Sequence, residues 1–337
     1  MCEGIVAELE TVDLGDKRRN DRSRQLLELL AADPAASVNA SCPNWSETLG
    51  AYRLLKNQHV RPEDILSAHS EKTMERIEQE PVVLVIQDTT TLNYTKHPPR
   101  DALLLDSDDQ FGLYDHTHLT CTPEGLPLGV VGVEFFGRTP ETLGKTSERK
   151  ADPIETKESY RWLKGYHLAN DIQQRFPDKT IVSIGDREGD LYDIYLAAAE
   201  TPNSADYVFR LKSPRSTLEQ DPTAGKHAYQ KVRKCVEEST VIATQTVTLP
   251  RTPKRKERTA TLEIRAMTLT VKPPHARSYM GPVQMNFVSV IEIGRPADDL
   301  TAVNWFLGTS LPIDSVANVL KVVKYYRKRW TIEVYTR

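Results

Sequence analysis

The chain has 337 residues, enough for two or three domains with a sizeable core. Hydrophobic residues make up 39% and charged residues 27%, the proportions of an ordinary globular protein, and no apolar stretch reaches membrane-span length. A formal net charge of −3 excludes a uniformly basic coat, so a nucleic-acid surface would have to come from local clusters of Lys and Arg.

Residues 1–70 read as a small helical module. Arg22–Leu30 carries an apolar stripe, and a run containing Lys17, Arg18, Arg19, Arg22 and Arg24 precedes and overlaps it. Ser46–Leu55 predicts a second helix with a capping-box-like start at Ser46, and Pro62 sits in the first turn of a third. From Pro81 the pattern changes to strands. Val82–Gln87 is apolar and β-branched; a polar loop spans 93–109; Leu113–Cys121 and Leu126–Phe136 form a hairpin turning at Pro123-Glu124-Gly125. Tyr160–Phe176 predicts a helix, Thr180–Ile184 a strand and Leu191–Ala199 a helix. Between Asp206 and Arg295 the helical signal fades, and Tyr207–Leu211, Val241–Leu249, Ala260–Val271 and Val283–Ile293 read as strands. Ala302–Leu307 is a further strand. A helix capped by Asp314 or Ser315 then runs to the end, burying Val316, Val319, Leu320 and Val323. The order strand, hairpin, helix, strand is that of a ribonuclease-H-like core, so the expected class is α/β with a mixed sheet. The expected divisions are a helical DNA-binding module at 1–70, a core at 71–212 and 300–337, and a β-rich insertion at 213–299.

Three carboxylates stand out. Asp88 and Asp186 each follow an apolar strand, where ligands bind at the carboxyl ends of open α/β sheets. A surface turn would explain Asp88 equally well; Asp190 sits where a helix cap belongs, whereas Asp186 does not. If the two strands are neighbours, a spacing of about 4.8 Å brings both carboxylates within reach of one metal. In the last helix Tyr326, Arg329 and Glu333 are spaced by three and four residues and share a face, amid Lys321, Lys324, Arg327, Lys328 and Trp330. Arginine and tyrosine in that setting suit phosphate. Two aspartates and a glutamate so arranged suggest two divalent metals and a phosphodiester. The four cysteines, Cys2, Cys42, Cys121 and Cys235, form no Cys-x-x-Cys pair, and Met1-Cys2-Glu3-Gly4 lacks the order of a secretory signal, so a reducing cytoplasm is expected. His116 and His118 alternate on one face of a strand without further ligands nearby and read as structural. Arg251, Lys254, Arg255, Lys256 and Arg258 crowd one loop, which is either a solvated loop or a DNA contact.

The spacing Tyr326-x-x-Arg329-x-x-x-Glu333 resembles the Tyr-Arg-Glu-Lys signature of bacterial cut-and-paste transposases of the insertion-sequence-four family, of the transposon Tn-five type. The resemblance covers nearly the whole chain. It includes Ala51-Tyr52-Arg53-Leu54 with Asn57, the Asp88 strand, Glu158-Ser159-x-Arg161-Trp162, Asp186-Arg187-Glu188 and Trp305. It implies a ribonuclease-H-like core in which Asp88, Asp186 and Glu333 form a DDE triad holding two Mg²⁺ ions, with Mn²⁺ as substitute. It also implies that Tyr326 and Arg329 grip phosphate near the scissile bond. The implied reaction nicks the transposon end, forms and reopens a hairpin, and joins 3′ ends to target DNA. Trp305 matches the tryptophan that holds a flipped base, although Val303–Leu307 alone would make it a core aromatic. Arg18, Arg19, Arg22 and above all Arg53 would contact the terminal repeats, with Trp330, Lys254, Arg255 and Lys256 touching DNA elsewhere. The implied partners are double-stranded terminal repeats, target DNA and a second copy in a paired-end complex, in a bacterial cytoplasm.

The signature's lysine falls seven residues after Glu333, whereas the chain ends at Arg337. A C-terminally truncated transposase, lacking its dimerisation region and poorly active alone, is therefore expected. The competing readings are a non-catalytic DNA-binding relic or transposition inhibitor, and a different ribonuclease-H-like nuclease such as a junction resolvase.

Overall fold

The computed structural model describes residues 4–144, 152–221, 223, 228–251, 256–295, 299 and 301–336. The chain divides into two compact units, one of residues 1–80 with 127–133, the other of 81–126 with 134–337.

The first unit is helical. A short 3-10 turn at Val6–Leu9 is followed by α1 (Lys17–Ala32), α2 (Val38–Ser41), α3 (Trp45–Leu55) and α4 (Pro62–Glu78). Asp16 caps α1 through Arg18 N, so the basic run lies inside the helix rather than ahead of it. The cap of α3 is Asn44, whose Oδ1 accepts from Glu47 N at 3.0 Å, two residues before the expected Ser46. Asn caps as well as Ser because its side-chain oxygen reaches the same orphan amide. Pro62 opens α4, where its missing N–H costs nothing. Leu9, Leu14, Leu26, Ala51, Leu54 and Ala68 form the core. Residues 127–133 pack on α4, with His69 Nε2 accepting from Val130 N at 3.0 Å and Arg76 Nε donating to Leu128 O at 2.5 Å. Gly129 makes this approach possible: its φ is +145°, and a Cβ there would meet Thr73 Oγ1 at 2.1 Å.

The second unit is mixed α/β. Its strands are β1 (Val82–Asn93), β2 (Leu103–Leu104), β3 (Phe111–Cys121), the end of β4 (Pro127–Phe136), β5 (Thr180–Gly185), β6 (Asp206–Arg210), β7 (Ser216–Gln220), β8 (Tyr229–Lys231), β9 (Ala243–Leu249), β10 (Arg258–Val271), β11 (Val283–Glu292) and β12 (Asn304–Thr309). Its helices are α5 (Tyr160–Arg175), α6 (Tyr192–Glu200), α7 (Val232–Glu237), α8 (Val316–Arg327) and α9 (Trp330–Tyr335). Among the described residues the strands of this unit form one sheet in the order β2-β3-β1-β5-β6-β12-β11-β10-β7-β8, with β9 beside β10. The strands of 213–299 thus continue the same sheet, joined through β11 to β12. β1, β5 and β6 are parallel and β3 is antiparallel to β1.

Val83–Ile86, Ile181, Val182 and Ile184 are fully buried, because parallel strands covered on both faces need apolar residues at every position. The amphipathic face of α5 places Trp162, Tyr166, Ala169 and Ile172 in the interior. Burying each large side chain contributes about 1.5–3 kcal/mol. At Gly165 this helix comes so close to β1 and β3 that a Cβ would meet Gln87 Oε1 at 2.2 Å and His118 Nε2 at 2.3 Å.

Three local expectations change. β1 does not stop at Gln87; it runs through Asp88 to Asn93, because its polar threonines pair along β3. The helix α7 carried no clear periodic signal. The last helix is two: α8 ends at Arg327, Lys328 and Arg329 turn, and α9 begins at Trp330. Ser315 caps α8 by accepting from Asn318 N. The buried stripe of α8 is Val319, Val322, Val323, Tyr325 and Tyr326, while Val316 is exposed.

Candidate active site

The register of β1 and β5 brings the two aspartates together. The parallel pairing runs from Val82↔Thr180 to Ile86↔Ile184, and the same offset of 98 residues carries Asp88 to Asp186. Strands one neighbour apart are about 4.8 Å apart, and equivalent positions project to the same face. Asp88 lies within β1 but beyond its last pair with β5, and Asp186 directly follows β5, so both stand at the open carboxyl edge.

Backbone amides orient both carboxylates. Thr89 N donates to Asp88 Oδ1 at 3.0 Å, and Glu188 N donates to Asp186 Oδ1 at 2.7 Å. Asp186 is therefore a cap after all, of the 3-10 turn Arg187–Gly189. Asp190, expected to cap the following helix, instead forms a buried ion pair with Arg215 and accepts from Lys212 N at 2.9 Å and Ser213 N at 2.7 Å. Burial opposes its ionisation, but Arg215 and these amides hold its pKa below the usual carboxylate value.

The break between α8 and α9 turns Arg329 inward. Its Nη1 lies 3.3 Å from Asp88 Oδ2 and its Nη2 donates to Glu333 Oε1 at 2.5 Å, so one guanidinium joins two of the three carboxylates. Burial, partly countered by Arg329, raises the pKa of Asp88 to about 6, with Asp186 and Glu333 pushing the same way as burial. Tyr326 is buried beside Arg329 and Arg210, and burial raises the pKa of its hydroxyl. The Trp305 ring meets Tyr326 edge-on at 5.2 Å between centroids. Trp305 is half-buried on β12, not sealed in the core, and Trp330 is exposed, with the Arg329 guanidinium 5.1 Å from its ring centre. Arg210 was missed in the sequence. A single arginine ending the apolar run Tyr207-Val208-Phe209 was its only signal.

The donor set is all oxygen, which suits hard divalent cations such as Mg²⁺ or Mn²⁺. Asp88 and Asp186 fit such an ion by register and mutual repulsion, whereas Glu333 is tied to Arg329. Among the described residues no three His, Cys, Asp or Glu side chains are grouped to hold a metal. His116 and His118 are buried with rings 4.9 Å apart, and burial drives the pKa of His116 down to about 2, keeping it neutral.

In the first unit, Arg53 is exposed on α3, which also exposes Trp45 and Tyr52. Arg18 is exposed and bound to Asp16 at 3.3 Å. Arg19 donates to Leu14 O at 2.6 Å, and Arg22 pairs with Glu47. Lys256 is exposed; Lys254 and Arg255 lie outside the described residues. Among the described residues no helix is long and apolar enough to cross a membrane.

Residues 1–60 match the family described as transposase DNA-binding. The chain is also similar to a cryo-EM structure of piggyBac transposase, a synaptic complex with hairpin DNA, at 9% identity and a TM-score of 0.40. That match covers 98% of this chain and 63% of the other, so the chain spans less than two thirds of that transposase's length.

Proposed function

We propose that this chain is a DNA transposase with a ribonuclease-H-like catalytic core of the DDE kind, its triad being Asp88, Asp186 and Glu333. The observation that carries the reading is the parallel β1–β5 register, whose offset aligns Asp88 with Asp186 just past its last pair, with Arg329 and Glu333 brought to the same edge by the turn after α8. The match of residues 1–60 to transposase DNA-binding sequences supports double-stranded terminal repeats as the ligand of the first unit.

Asp88, Asp186 and Glu333 would hold two Mg²⁺ ions, for which Mn²⁺ would substitute. When bound, such ions activate the attacking oxygen and stabilise the leaving one. The protein's own part is to place the phosphate. Arg329 has a planar pair of donors that a phosphate can recruit from Asp88 and Glu333, and Tyr326 adds a hydroxyl donor. Release of Arg329 would free both carboxylates for cations. Trp305, edge-on to Tyr326, would flank a base displaced from the duplex. The proposed sequence is hydrolysis that leaves a 3′-hydroxyl, attack of that hydroxyl on the opposite strand to close a hairpin, reopening, and joining to target DNA within a paired complex of two copies.

The test uses labelled duplexes made from the DNA flanking the gene. Nicking that requires Mg²⁺, leaves a 3′-hydroxyl, and disappears in Asp88→Ala, Asp186→Ala and Glu333→Ala while binding persists is the expected result. Binding without nicking at any Mg²⁺ or Mn²⁺ concentration would replace the enzyme with a DNA-binding protein that occupies ends.

A further inference from the structure

The helix α5 carries an arginine whose contacts converge on both aspartates. Arg161 Nε donates to Thr89 Oγ1 at 3.2 Å, Nη2 to Glu188 Oε2 at 2.7 Å, and Nη1 to the Glu158 carbonyl at 2.7 Å. Thr89 and Glu188 are the two residues whose backbone amides hold Asp88 Oδ1 and Asp186 Oδ1. One guanidinium therefore grips, from behind, the residue that orients each carboxylate. Arg161 itself is fixed: its guanidinium lies 4.8 Å from the centre of the Phe136 ring and 5.9 Å from that of Trp162, and Thr89 Oγ1 is also 2.9 Å from His116 Nδ1.

We infer that Arg161 is a positioning residue for the metal site, clamping the β1 edge and the Asp186 turn at a fixed separation. The inference rests on the metal-dependent reading above. A DNA contact does not account for it, because the side chain is only 10% exposed and each of its nitrogens is engaged within the protein. A simple surface ion pair with Glu188 does not account for it either, since that pair uses one arm of three. The planar fork is what lets a single side chain span two segments 99 positions apart in sequence, from Thr89 to Glu188, and a lysine ammonium cannot do this at both ends.

The experiment compares Arg161→Met and Arg161→Lys with the parent chain. Two readouts are used: amide exchange at Thr89 and Glu188 by NMR in chelator, and Mn²⁺ affinity by electron paramagnetic resonance. Arg161→Met, folded by circular dichroism, should exchange both amides at least about tenfold faster and lose about tenfold in Mn²⁺ affinity, the usual scale for a group that orients a metal ligand. Arg161→Lys should fall between. DNA binding and its salt dependence should stay as in the parent, since no phosphate contact is lost. Unchanged exchange at both amides overturns the clamp. Faster exchange with Mn²⁺ affinity within about twofold of the parent also overturns the positioning role, leaving a structural tie. If the parent takes up no Mn²⁺, or Asp88→Asn takes it up equally, the metal-site reading fails, and with it the positioning role, whatever the amides do. Should Arg161→Met not fold, Thr89→Val deletes one arm alone and is read the same way, with an expected loss of about threefold.

Discussion

Arg329 and Asp88 meet at 3.3 Å although 241 residues of chain separate them. Their pairing places a positive charge from the α8–α9 turn against a carboxylate on a central strand. The charge is needed there because Asp88 is largely removed from water and faces two further acids.

Arg329→Met should therefore destabilise the metal-free protein by about 1–3 kcal/mol, the scale for stranding a partly buried charge. Asp88→Asn in the same chain should recover most of that loss, because the stranded charge is then gone. Thermal melts of the two single variants and the double variant give the coupling directly. Additive losses would show that the two side chains do not act on each other.

The pH dependence follows from the raised pKa of Asp88, about 6. A carboxylate that holds its proton more tightly when folded favours the folded state at low pH. That contribution is fully present below the unfolded value near 4 and is lost as pH rises through about 6. In chelator, stability should fall over this window by roughly 2–3 kcal/mol, an upper bound because the site is not fully sealed from water. Asp88→Asn should remove this slope in denaturant titrations at pH 4, 5, 6 and 7.

Asp190 and Arg215 form a pair in which the carboxylate side chain is 0% and the guanidinium 6% exposed. Removing one partner leaves an uncompensated charge. Arg215→Met should lower stability by about 3–5 kcal/mol, visible as an early melting transition. The effect should not depend on Mg²⁺, which separates this pair from the carboxylates at the sheet edge.

In the first unit, Arg53 and Arg22 should behave differently. Arg53→Ala removes an exposed cation and should reduce the salt slope of binding to terminal-repeat DNA by about 1, seen by fluorescence anisotropy across salt concentrations. Arg22→Ala breaks the pair with Glu47 and should lower thermal stability by up to about 1 kcal/mol while leaving that slope unchanged. The reverse pattern would make Arg22 the phosphate contact.

Local signals were strong wherever residue type alone decides structure. The β-branched runs before Asp88 and Asp186 became the buried parallel strands β1 and β5, and the apolar periodicity of 160–176 became α5. Ser315, anticipated as one of two candidate caps, caps the start of α8. Signals failed where a distant partner decides. The threonines after Asp88 lie past the strand expected at Val82–Gln87, yet cross-strand pairs with β3 hold them extended, and the charged segment around Lys328 reads as continuous helix although the chain turns there. Asp186 looked unlike a cap because its 3-10 turn is too short to leave a periodic trace.

The sequence alone determined the central strands β1 and β5 and the helix α5, and that Asp88, Asp186, Tyr326, Arg329 and Glu333 are unusual for their surroundings. Side-chain shape and polarity act over a few residues, so such facts are written locally. Only the tertiary structure decided that Asp88 and Asp186 share a register position, that Arg329 joins Asp88 to Glu333, and that Arg161 holds the residues behind both aspartates. Those relations arise from strand order and from helices packing across the sheet, where charges far apart in the chain share one poorly solvated edge and constrain each other's position.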